Sequence, residues 1–141
     1  MISDKRKQHI LAVARLMKEK AQLIGLDENE MFLLGFLHDI GYEIDESQSH
    51  NITGGNLLKQ TGFKYYNEVY YHGNPFSEYS SKELDLLNYC DLHIDSNGSY
   101  VTFSERLDDI KNRHGENSSA YKNSKIVADK LISKKIFDEN L

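Results

Sequence analysis

The stretch FLHDIGY, residues 36–42, decides how this chain is read, because it sets an imidazole and a carboxylate side by side, His38 and Asp39, near the end of an apolar, helix-like run. The dipeptide alone carries little weight. With 6 His in 141 residues and an ordinary share of Asp, roughly half of one such pair arises by chance. Its weight comes from His9 upstream and from His50, His72 and Asp91 downstream. Each falls in or beside an apolar segment with helical spacing. Together the six side chains can hold one divalent metal ion, and more readily two.

Composition sets the frame. The length of 141 residues suits one domain, 1–141, with a single core. Hydrophobic residues make up 39% and charged residues 28%, an ordinary balance for a soluble globular protein. A net charge of -5 argues against a surface that coats nucleic acid, which would carry a basic stripe. The lone Cys90 excludes an intrachain disulfide or a thiolate cluster. The N-terminal MISDKRKQH is polar, with no apolar signal segment after its basic residues. The longest apolar run, MFLLGFL, is far too short to span a membrane. A cytoplasmic location is the expectation.

A single Pro (Pro75) and recurrent 3.6-residue apolar spacing predict an all-α fold of about six to seven helices. Ser3 caps a first helix that runs to about Ile24 and ends at Gly25. Asp27, with Glu30 three residues on, opens a second over 28–41 that carries His38 and closes at Gly41. EIDESQS reads as a polar loop. A third helix runs from His50 to before Gly62, with Leu57 and Leu58 inward and Gly54-Gly55 allowing close packing on a neighbour. Residues 65–72 form a short fourth helix, although their alternating aromatics also allow a strand. Ser80 and Glu83 open a fifth through Cys90 and Asp91. Asn97-Gly98 makes a turn, and Ser104 caps a helix that Gly115 ends. A last helix from Ser118 or Ser119 reaches about Phe137, where Ile132, Ile136 and Phe137 offer an apolar face for a homodimer.

Imidazole and carboxylate donors suit iron or manganese, with zinc, magnesium, cobalt or nickel also admissible. His38 and Asp39 are consecutive on a helix, hence about 100° apart around it, yet both can reach a site at the helix edge. The two oxygens of Asp39 can then bridge two ions. His9, His38 and Asp91 complete one position, and His50 and His72 the other.

The ordered pattern His9, His38-Asp39, His50, His72, Asp91 resembles the HD-domain superfamily of metal-dependent phosphohydrolases, in the form of its small single-domain bacterial members. RKQHILAVARLM looks like that family's first helix, with Arg6 three positions before His9. HNITGGNLL, LLNYCDLH and TFSERLDDIKNRHG resemble further segments, so the likeness spans roughly residues 6–125. It implies a helical bundle around a dinuclear centre. There, metal-activated, bridging hydroxide attacks a phosphate ester or nucleotide. It also implies roles for Asp39, His50 and His72 in catalysis; Arg6, Tyr42, Arg106 and Arg113 are the candidates to bind a small phosphorylated substrate, although Arg106 and Arg113 also read as solvated charges on one helical face. Many hydrolytic members carry Lys where this chain has Tyr42. A minority of dinuclear members are di-iron oxygenases, which gives the alternative chemistry. A non-catalytic metal- or nucleotide-binding module is a third reading. Arg6, Lys64, Arg106 and Arg113 are candidates to replace the missing cation.

Bland readings hold elsewhere. His93 should face away from Asp91 on its helix. His114 suits a helix C-terminus, where positive charge meets the dipole. Cys90 reads as core, most aromatics as core or pocket wall, and Gly54-Gly55 lacks the Lys and spacing of a phosphate loop. The loop 42–49 and the turn at 73–79 are the segments left to set specificity.

Overall fold

The structure, a computed structural model, describes residues 3–44 and 50–137. It is all-α, as the apolar periodicity predicts. The described residues contain no strand, only an isolated antiparallel bridge between Ile94 and Tyr100 that closes the Asn97-Gly98 turn. None of their helices is long and apolar enough to cross a membrane.

Helix α1, Asp4–Ala21, starts where the Ser3 side chain accepts the Arg6 amide. A 3-10 turn over Gln22–Ile24 follows it and ends at left-handed Gly25. Helix α2, Glu28–Leu37, opens where Asp27 accepts the Glu30 amide at 2.8 Å. It stops sooner than its sequence suggests. Rather than running through Gly41, it ends at Leu37 with His38 as its C-cap, and Gly41 instead begins a short helix α3, Gly41–Ile44. His38 and Asp39 therefore sit at a helix end and in the turn after it. The predicted loop EIDESQS begins as the last residues of α3, and 45–49 lie outside the described residues.

Helix α4 spans His50–Thr61, α5 Tyr66–Tyr71 and α6 Lys82–Leu92. The 65–72 segment is helical, not extended. The cap of α6 is Ser81 rather than Ser80; its hydroxyl accepts the Leu84 amide and donates to the buried Glu68 carboxylate, which also receives the Tyr79 hydroxyl. Helix α7, Phe103–His114, opens at Thr102, two residues before the expected Ser104. Thr102 and Glu105 form the reciprocal pair of side-chain bonds that defines a capping box. Helix α8, Ser119–Lys134, is capped by Ser118. It closes at Lys134, where Lys135 turns left-handed, so Ile136 and Phe137 fold back on the core and Phe137 meets Tyr89 at 4.7 Å between ring centroids. Of the apolar trio expected on this helix, Ile132 stays exposed.

The core is a continuous apolar cluster, with Val13, Met17, Met31, Leu34, Leu86 and Leu87 wholly inaccessible to solvent. Each such Leu or Met contributes roughly 1.5–3 kcal/mol. Helix α1 packs most extensively on α2, and α4 on α5. These two pairs carry the site. Glycine permits both the approach of α3 to α4 and that of α4 to α5. A β-carbon on Gly41 would collide with the His50 carbonyl, and one on Gly55 would lie 2.5 Å from the Tyr70 Cβ and 2.8 Å from its Cα. Leu58 lines the buried side of α4, while Leu57 is half-buried.

A Gly55→Ala substitution separates two opposed effects. In an open helix it would gain about 0.5–1 kcal/mol from backbone entropy. Against the Tyr70 backbone, overpacking costs about 1–3 kcal/mol. The expected net result is a lower thermal unfolding midpoint; an unchanged or higher one would show that α4 can slide on α5.

Candidate metal centre

Five elements deliver the six side chains to one place: His9 from α1, His38 and Asp39 from the end of α2, His50 from the start of α4, His72 from the end of α5, and Asp91 from α6. Asp39 lies at the middle. Its Oδ2 stands 3.3 Å from His38 Nε2 and 3.8 Å from His9 Nε2; its Oδ1 stands 3.4 Å from His50 Nε2 and 3.7 Å from His72 Nε2. Asp91 Oδ1 contacts His9 Nε2 at 2.8 Å and lies 3.4 Å from His38 Nε2. Donor atoms of His9, His38 and Asp39 form one group within 4.8 Å of each other, and those of Asp39, His50 and His72 form another.

These spacings fit a shared ion. Two ligands each about 2.1 Å from one ion, at a tetrahedral angle, stand about 3.4 Å apart. The hydrogen bonds on the far side of the rings fit as well. His9 Nδ1 meets the Asp95 carbonyl at 2.9 Å, His38 Nδ1 the Gly35 carbonyl at 2.6 Å, and His72 Nδ1 the Val69 carbonyl at 2.5 Å. Each Nδ1 donates to its carbonyl, so Nε2 is the nitrogen turned to the cluster, and it offers its lone pair once its proton is given up, as a metal ligand must. His38 Nε2 is buried, and among the described residues no contact meets hydrogen-bond geometry, the nearest groups being the Asp39 and Asp91 carboxylates. Such an atom is costly unless its proton is drawn by those carboxylates or an ion takes its lone pair.

Helix termination makes two of these bonds possible. His38 and His72 follow directly on the ends of α2 and α5, where the last carbonyls have no partner within the helix. Gly35 and Val69, each three residues back, are free to accept. The Asp95 carbonyl comes from the loop after α6, whose Gly98 packs against Gln8 of α1.

Electrostatics follows the same geometry. Burial works against charge on Asp39 and Asp91, but the facing imidazoles hold both carboxyls well below their ordinary range. Burial also opposes a charged His38, yet the Asp39 and Asp91 carboxylates outweigh it and lift the ring to about 9. His50 moves the other way, lowered by burial. Arg6 reaches Asp39 Oδ2 at 3.3 Å, with its guanidinium 3.8 Å above the Tyr42 ring.

The other candidate cations lie elsewhere. Arg106 approaches the Asp91 carbonyl at 3.4 Å and pairs with Asp109, which Arg113 shares. Lys64 is bound to Glu30. His93 is buried against Phe103 and donates Nδ1–H to the Val101 carbonyl, away from the cluster, while His114 is exposed at the end of α7. Cys90 is buried, its thiol pushed up by burial. Among the aromatics, most of which read as core or pocket wall, Phe76 projects into solvent. Sequence reasoning missed the orienting carbonyls of Gly35, Val69 and Asp95; the i−3 spacing behind two of the histidines is a signal that could have found two of them.

A family model for the HD domain matches residues 6–133. The chain belongs to the HD domain family, most of whose members are metal-dependent hydrolases. Searches of curated proteins and of solved structures gave no significant match.

Metal uptake must expel the proton that His38 holds up to about pH 9 in the metal-free protein. Affinity therefore rises with pH until about 9. A chelator competition is expected to show roughly a hundredfold tighter binding at pH 8 than at pH 6, one decade per pH unit of proton competition. Equal affinity at both values would mean that His38 is not displaced from its proton by the metal.

Proposed function

We propose that this protein is a metal-dependent hydrolase acting on a phosphate ester or nucleotide through a two-ion centre. One observation carries the reading: the Asp39 carboxylate, 3% exposed, turns one oxygen toward His9 and His38 and the other toward His50 and His72. A carboxylate shared between two pairs of imidazoles is what a bridged ion pair requires. His9, His38, Asp39 and Asp91 would hold one ion, and Asp39, His50 and His72 the other. Iron or manganese suits this donor set.

Divalent ions bound there would supply Lewis-acid activation of water and offset charge on a phosphoryl group. The chain's own contribution is positioning. Asp39 fixes the spacing of the two positions, and the backbone carbonyls behind His9, His38 and His72 keep their lone pairs inward. Arg6, with its side chain 30% exposed beside Asp39, presents a guanidinium to an anionic group. Tyr42 adds a neutral hydroxyl at the same edge. Arg106 and Arg113, both engaged by Asp109, would have to exchange that partner to meet substrate. The reading needs no side-chain nucleophile.

The di-iron oxygenase reading uses the same ligands. It is favoured by Tyr42, a phenol where many hydrolytic members carry Lys.

Metal-stripped protein reloaded with Mn2+ or Fe2+, and assayed against phosphomonoesters and nucleotides with and without O2, decides between them. Hydrolysis with Mn2+ in the absence of O2 is expected. Both His38→Ala and Asp39→Ala should abolish it while retaining helical circular dichroism. Product formed only with Fe2+ and O2 would transfer the assignment to the oxygenase. Undiminished turnover in both variants would remove the site from the reaction.

A further inference from the structure

His50 differs from the other three histidines of the cluster. Their Nδ1 atoms are each tied to a backbone carbonyl, whereas His50 Nδ1 is buried and, among the described residues, has no hydrogen-bond partner. What lies against the His50 ring is Tyr42, stacked at 4.0 Å between centroids and 19° between planes. The Arg6 guanidinium stands 3.8 Å from the same phenol ring. Two groups this close to one ring centre cannot share a face, so Tyr42 is sandwiched between Arg6 and His50. Arg6 reaches Asp39 Oδ2 at 3.3 Å, and His50 Nε2 faces Asp39 Oδ1 at 3.4 Å. Asp39, Arg6, Tyr42 and His50 thus form a closed circuit of side chains.

We infer that Tyr42 is the positioning residue of the His50/His72 metal position: its ring fixes His50 by stacking, as backbone carbonyls fix the other three histidines by hydrogen bonding. The inference rests on the two-ion reading above. It makes the two positions unequal. The His9/His38/Asp91 position is held by backbone on both histidines, while half of the imidazole support of the other depends on one aromatic side chain. Removing the ring should loosen the second ion and leave the first unaffected. Removing only the hydroxyl should do neither, because stacking uses the ring faces.

The test is a titration of metal-free wild type, Tyr42→Phe and Tyr42→Ala with Co2+, following visible absorption and stoichiometry. Wild type and Y42F are expected to take two equivalents with matching affinities. In Y42A the first equivalent should bind as in wild type and the second roughly tenfold or more weakly, the scale on which supporting groups act on metal affinity. An unchanged second equivalent in Y42A overturns the inference. So does equal weakening of both equivalents, which marks a general structural loss. A Y42F protein as weak as Y42A overturns it too, since the hydroxyl would then be the holding group. A wild type that takes a single equivalent sinks the two-ion reading itself, and the inference with it.

Discussion

The geometry of the site turns on a buried carboxylate shared by four imidazoles. A carboxylate taken out of water without compensation costs several kcal/mol. Asp39 is compensated from every side: by His9 and His38 at one oxygen, His50 and His72 at the other, and Arg6 at the edge. No single helix could gather that set. The four rings that converge on its carboxyl come from four different elements. The packing of α1 on α2 and of α4 on α5 answers that demand. So do glycines 41 and 55, which let backbone approach where a side chain would hold elements apart.

Where the helices stop matters as much as where they pack. Had α2 continued to Gly41, the Gly35 carbonyl would have been taken by the amide of Asp39 and His38 would have lost its orienting acceptor. Ending at Leu37 leaves that carbonyl to the imidazole, and the end of α5 repeats the device for His72 and Val69. The unsatisfied carbonyls of a helix terminus, ordinarily a cost, here select a histidine tautomer. A shift of either terminus by one turn would leave the residues in place in the sequence and disable the ligand.

The all-helical class was legible because apolar periodicity is strong and breakers are few, and the caps at Ser3, Asp27 and Ser118 follow directly from their side-chain chemistry. The six clustered residues were legible as a set through their order. Less legible were features decided by competition between neighbours. Ser80 and Ser81 both suit an N-cap, and Ser81 takes the position, where its hydroxyl also reaches Glu68. Thr102 and Ser104 compete likewise, and Glu105 settles it by closing the reciprocal bond on Thr102. The early end of α2 carries no Pro or Gly at the break to announce it. Nor could spacing alone show that Arg106 and Arg113, on one face of α7, would spend their charge on Asp109, which lies between them on that helix.

Charge distribution links this architecture to its proposed substrate. The chain as a whole is negative, at -5, so an anion approaching it at random meets repulsion on most of the surface. The site reverses that sign locally. Asp39 and Asp91 are the carboxylates facing the imidazoles, and Arg6 offsets part of their charge. Two divalent ions would outweigh both carboxylates together and leave the centre positive, and a bound ion is the largest local charge in such a site. A positive focus in a negative field draws an anionic group to one place and one orientation. With Tyr42 at its rim and Arg106 and Arg113 engaged by Asp109, the centre would bind such a group chiefly through the ions and Arg6. Discrimination among phosphorylated molecules would then rest on the neutral remainder of the substrate.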